Sequence, residues 1–194
     1  YQAAVLAVPG GRVASIIRAS ELFGPLLILL RPTGSTEGDI RRFFPVLQTT
    51  LDRGDSASYG PYVFQDRPLG GRVPSVLLGV ALDDDTVPNV SNYALARAMR
   101  VPIAPEVLRP VVGLEEAPQT PISGNFADGQ ATGGLLQFDV ILRNGTIRTA
   151  THGNTPASGV GARAWLEFLQ SQIDDGLAQV VDPYALEGIP HATD

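Results

Sequence analysis

Val76-Leu77-Leu78-Gly79-Val80-Ala81-Leu82 runs without interruption into Asp83-Asp84-Asp85-Thr86-Val87-Pro88-Asn89. A continuous apolar run of this length, closed by a polar turn, predicts a strand buried on both faces. Asn89 to Met99 then reads as a helix with Tyr93, Leu95, Ala98 and Met99 on its apolar side. Working upstream, Ala3 to Val8 is a second run of the same kind, stopped by Pro9-Gly10-Gly11. Helical patterns follow it at Val13 to Arg18, Leu22 to Leu30 and Asp39 to Leu51. Ser35 and Thr36 are N-cap candidates for the third, and Pro45 should bend or divide it. Strand followed by helix, twice over, predicts an α/β fold with a mostly parallel sheet.

Working downstream, prolines and glycines are too frequent between Arg100 and Gln130 for a long element, which predicts a loop excursion. Leu135 to Leu142 is a third apolar run, expected beside the other two. Asn144-Gly145 after it is a two-residue hairpin signal, with Thr146 to Ala150 as the possible return strand. The last helix carries Ala162, Trp165, Leu166, Leu169 and Ile173 at helical spacing and stops at Gly176.

The 194 residues hold 44% hydrophobic and 18% charged side chains, enough apolar material for a core. Net charge is −6, with 14 basic residues scattered against 20 acidic ones, so nucleic acid is not an expected partner. The absence of cysteine removes disulfides, thiolate catalysis, iron–sulfur clusters and cysteine zinc sites. Two histidines, His152 and His191, are too few for a site with several imidazole ligands from this chain. Leu22 to Leu30 is interrupted by Gly24 and Pro25 and falls short of the roughly 20 apolar residues of a membrane span, so no span is expected.

In open α/β sheets, catalytic groups gather beyond the carboxyl ends of the strands. Asp84 and His152 both occupy such places. A carboxylate that orients an imidazole and an imidazole that takes a proton from a serine are two thirds of a hydrolase triad. Acid before histidine is the chain order used when the nucleophile comes earlier still. The bland alternatives are a solvated acidic turn or a weak calcium site for Asp83 to Asp85, and a surface histidine for His152. No Asp-x-Asp-x-Asp-Gly loop favours calcium. His191, in a tail after Pro190, reads as a surface residue, and Trp165 as core.

Leu82-Asp83-Asp84-Asp85-Thr86-Val87-Pro88 resembles the acid loop of the α/β-hydrolase family, in particular its bacterial lipase-like and esterase-like members. Thr151-His152-Gly153 is similar to the family's histidine loop, Ala162 to Gly176 to its closing helix, and Ala3 to Gly11 to its sixth strand and turn. The resemblance implies residues 1–194 as the C-terminal half of a hydrolase domain, with a helical cap-like insertion over 13–58. It further implies a small apolar ester as substrate, Asp84 and His152 as catalytic residues, and neither cofactor nor metal. The Leu22 to Leu30 run with Phe43 and Phe44 would then be either a cap over an acyl pocket or an ordinary core helix.

No Gly-x-Ser-x-Gly elbow is present. Gly54-Asp55-Ser56-Ala57-Ser58 lacks the final glycine and follows a helical pattern where an elbow needs a buried strand, so Ser56 is rejected as nucleophile. The opening residues, lacking Met or a charged leader, start inside a strand. The expectation is a fragment whose partner is the missing N-terminal half of the same protein, carrying the serine, and which is inactive alone.

Overall fold

The computed structural model describes residues 1–68 and 70–192. It is mixed α/β, built on a three-stranded parallel sheet. Strand β2 (Ser75–Ala81) is central, between β1 (Ala3–Ala7) and β4 (Gly133–Phe138). Every residue of β2 is buried, as its uninterrupted apolar run requires. β1 is only half-buried, against the expectation of burial on both faces, because no other described strand pairs with its outer edge. The outer edge of β4 is covered: Leu135 donates to the Pro102 carbonyl, and Ala104 donates back to the Leu135 carbonyl.

The strand period sorts the core into two layers. Val76, Leu78 and Val80 pack with Tyr93, Leu95 and Met99 of α6 (Asn89–Met99). Leu77 and Ala81 pack with Val160, Ala164 and Phe168 of α7 (Gly159–Asp174) on the opposite face. Gly79 lies on that second face, where a Cβ would collide with the Trp165 ring, so the sheet and α7 meet through a glycine. The buried stripe of α7 is therefore Val160, Ala164 and Phe168. Of the stripe expected from the sequence, Leu166 and Ile173 are exposed and Trp165 is half-buried.

Between β1 and β2 the chain is helical, through α1 (Val13–Ala19), α2 (Gly24–Leu30), α3 (Glu37–Leu51), α4 (Ser56–Tyr59) and α5 (Pro61–Phe64). Thr36 caps α3 in a reciprocal capping box with Asp39, and α3 runs undivided through Pro45. The carbonyl that Pro45 leaves without its helical donor, that of Arg41, lies on an exposed stretch open to water. No residue of α2 is buried, and Ile28 and Leu29 are nearly four-fifths exposed, so α2 is not a core helix. No single described helix is long and apolar enough to cross a membrane; α1 and α2 reach that composition only jointly, across a 91° bend.

The third apolar run divides. β4 ends at Phe138, and after Asp139 the chain turns into the hairpin β5 (Val140–Arg143) and β6 (Thr146–Thr149). The Arg100 to Gln130 excursion is irregular but includes β3 (Ile122–Ser123), which pairs antiparallel with β7 (Gln179–Val180). After β7 comes the short helix α8 (Pro183–Glu187).

Candidate active site

Asp84 follows the carboxyl end of β2, and its loop is held from several sides. Asn89 donates to the Ala81 carbonyl at the end of β2, and the buried Asn92 donates to the Pro9 carbonyl after β1. The first turn of α6 thereby ties two strand ends together. From the helical segment, Ser20 Oγ and the Glu21 N–H both donate to the Asp85 carbonyl. Within the loop, Asp84 Oδ1 accepts from the backbone N–H groups of Thr86 and Val87 at 2.9 and 2.7 Å. Asp83 and Asp85 are less deeply placed, whereas the Asp84 side chain is fully buried.

Asp84 Oδ2 lies 3.0 Å from His152 Nδ1, across 68 residues of sequence. An ionised carboxylate only accepts, so the bond places the proton on Nδ1 and leaves the Nε2 lone pair free to act as a base. The His152 side chain is 30% exposed, whereas the side chain of the acid behind it is fully buried. His152 itself sits in a loop fixed by its own neighbours. Asn154 Oδ1 accepts from the Thr151 N–H at 2.8 Å, and the buried Thr155 donates through both N–H and hydroxyl to the Thr151 carbonyl. Sequence reading does not single out Asn89, Asn92 or Thr155; each is a small polar residue flanking a motif, the one signal that marks it.

Ser56 does not belong to this cluster. It is the first residue of α4, preceded by the N-cap Asp55, and its hydroxyl donates to the Gly10 carbonyl. The buried Asp55 accepts from the N–H groups of Arg12, Val13 and Ala57 and from Gln48, so the Gly54-Asp55-Ser56 stretch joins α1, α3 and α4. Among the described residues, no three acidic or histidine groups converge to hold a metal ion.

The surface reading of His191 is corrected. Its side chain is 9% exposed, its Nδ1 lies 3.0 Å from Asp139 Oδ1, and its ring packs against Tyr184 with centroids 4.1 Å apart. Tyr184 donates to the Val140 carbonyl, and burial pushes its hydroxyl well above the ordinary tyrosine range. Burial alone would raise the Asp139 carboxyl, but hydrogen bonds from His191 and from the N–H groups of Ala192 and Val140 outweigh it and hold it below the ordinary carboxylate range. A depressed carboxyl contributes stability that is present above its unfolded value of about 3.9 and is lost as pH falls through the folded value. Residues 189–192 should therefore be released on acidification below about pH 4. Amide exchange in 189–192 checks this: Asp139→Asn should loosen them at neutral pH and flatten the acid dependence, and an unchanged profile would contradict it.

Comparison with protein-family models, with curated proteins and with solved structures gives no match to this chain, so the fold and the Asp84–His152 pair stand on the sequence and its structure.

Proposed function

We propose that Asp84 and His152 are the acid and base of a serine esterase, and that the chain is the C-terminal half of an α/β-hydrolase domain. The observation that carries this reading is the 3.0 Å Asp84–His152 bond at the carboxyl end of a parallel sheet. The serine would come from outside these 194 residues, on a strand pairing with the outer edge of β1. His152 Nε2 takes the serine proton as the oxygen attacks the ester carbonyl, and returns it to the departing alcohol. Water then attacks the acyl-enzyme with His152 again as base, releasing the carboxylic acid and restoring the serine. Asp84 remains ionised throughout, holding the ring orientation and stabilising the imidazolium. On this reading the helices between β1 and β2, which touch the acid loop at Asp85, would serve as a cap for a small apolar ester.

A second reading, a non-catalytic module that binds an apolar molecule or protein partner, is favoured by one observation. A cavity of about 660 Å³ lined by Ala3, Leu6, Val63, Leu95 and Met99 lies along β1. It also reaches Pro74 and Val76, at the strands' amino ends, and so sits away from the dyad. A fluorophosphonate probe separates the readings. The protein encoded by the parent reading frame should be labelled at a serine before Tyr1 and turn over a short-chain chromogenic ester, whereas residues 1–194 alone should do neither. A parent protein with no strand–Gly-x-Ser-x-Gly–helix upstream and no labelling would leave the binding module.

A further inference from the structure

The β5–β6 hairpin carries its charge on the face that lines a cavity. Its register sets Ile141 opposite Arg148, Leu142 opposite Ile147 and Arg143 opposite Thr146. Alternation therefore places Ile141, Arg143, Thr146 and Arg148 on one face. That face, with Asn144 at the turn and Asn154 from the histidine loop, lines a concave space of about 600 Å³. Leu142 and Ile147 share the other face and are left 42% and 48% exposed. The hairpin therefore leaves both its apolar pair and its arginines exposed, with the arginines along the concave side.

Among the described residues, no carboxylate lines this cavity. Among them too, Arg143 and Arg148 make neither an ion pair nor a side-chain hydrogen bond, although acidic residues outnumber basic ones by 20 to 14. Two guanidinium groups on one face of a two-stranded ribbon repel each other, and a shared counter-anion removes that cost. Two fixed positive charges match a dianion better than a single carboxylate, and the planar donor forks suit tetrahedral oxyanions. The Thr146 hydroxyl and the Asn144 amide can supply neutral donors beside them.

We propose that the open cavity lined by Arg143, Arg148, Thr146, Asn144 and Asn154 is a binding site for a phosphoryl dianion. The group is either a free phosphate monoester or the monoester headgroup of phosphatidic acid, which present the same chemistry. Asn154 also holds the Thr151 N–H, so an occupied site would brace the loop that carries His152.

The test uses residues 1–194 at low ionic strength, where surface charges are least screened. Inorganic phosphate and phenyl phosphate are titrated by calorimetry and amide NMR, with acetate as the monoanion control. Vesicles of phosphatidylcholine with and without phosphatidic acid form the second arm. The expected result is a dissociation constant of about 1 mM or tighter, with shifts confined to residues 141–149 and 154. Arg143→Gln with Arg148→Gln should weaken binding by at least about tenfold, and Arg148→Lys should weaken it less. Both arginines are exposed, so the variants should unfold at the wild-type temperature, which is measured alongside. Soluble phosphates binding on their own identify a phosphate ester; binding only to phosphatidic acid vesicles, abolished in the double variant, identifies the headgroup. No binding in either arm, equal binding of acetate, or binding unchanged in the double variant would overturn the site.

Discussion

Asp84→Asn should, on the proposed esterase reading, lower ester turnover by the parent protein by about 10⁴-fold, the scale on which an imidazole fails once its orienting carboxylate is gone. The geometry makes this a loss of orientation rather than of volume. The substituted amide would keep one oxygen for the Thr86 and Val87 N–H groups, now 2.9 and 2.7 Å from Oδ1. Its nitrogen would then face His152 Nδ1 and donate to it, driving the proton to Nε2, where no base remains. The tautomer can be read without any nucleophile. In residues 1–194, ¹⁵N NMR of His152 should show a protonated, slowly exchanging Nδ1 in the wild type and a protonated Nε2 in Asp84→Asn. A wild-type ring protonated at Nε2 would remove the basis for catalysis even if turnover fell.

The second large effect lies in the histidine loop. Gly161 is in the first turn of α7, and a Cβ there would collide with the Thr155 carbonyl oxygen and come within 3.0 Å of Ser158 Oγ. The first of these is backbone and cannot rotate away. Ser158 is the N-cap of α7, accepting from the Gly161 N–H at 3.0 Å, while Thr155 anchors Thr151. Relief of the clash must therefore move the 151–158 loop or the first turn of α7. Gly161→Ala should cost about 3 kcal/mol of stability, at the upper end for overpacking a buried site. Denaturant unfolding measures that cost, and the His152 Nδ1–H signal should weaken at temperatures where the chain is still folded. Gly159→Ala, two residues earlier with open space around it, is the control and should leave both unchanged.

Strand β2 was legible because burial on both faces writes a continuous apolar run, and the Asp84–His152 pair because the two stand in acid-then-histidine order, in loops that resemble the hydrolase acid and histidine loops. α7 was legible as a helix but not in its orientation. Two apolar stripes compete on it, and the one facing the sheet, Val160, Ala164 and Phe168, gains its place through the gap at Gly79, which belongs to another segment. His191 was illegible for a similar reason: its partner Asp139 is 52 residues away, and nothing in Pro190-His191-Ala192 announces it. Asp139 also explains why the third run reads as one strand. The apolar pattern passes through both Phe138 and Val140, and a single acid between them is where the sheet ends and the hairpin begins.

The sheet's two edges are unequal: Pro102 to Ala104 cover β4, while no described strand covers β1. Sheets that polymerise need two templating edges, one to receive and one to offer. With only one, edge-to-edge addition stops after a single event. Two copies meeting through β1 would form a closed, twofold pair rather than a growing fibre, and any strand that reaches β1 first excludes that pairing.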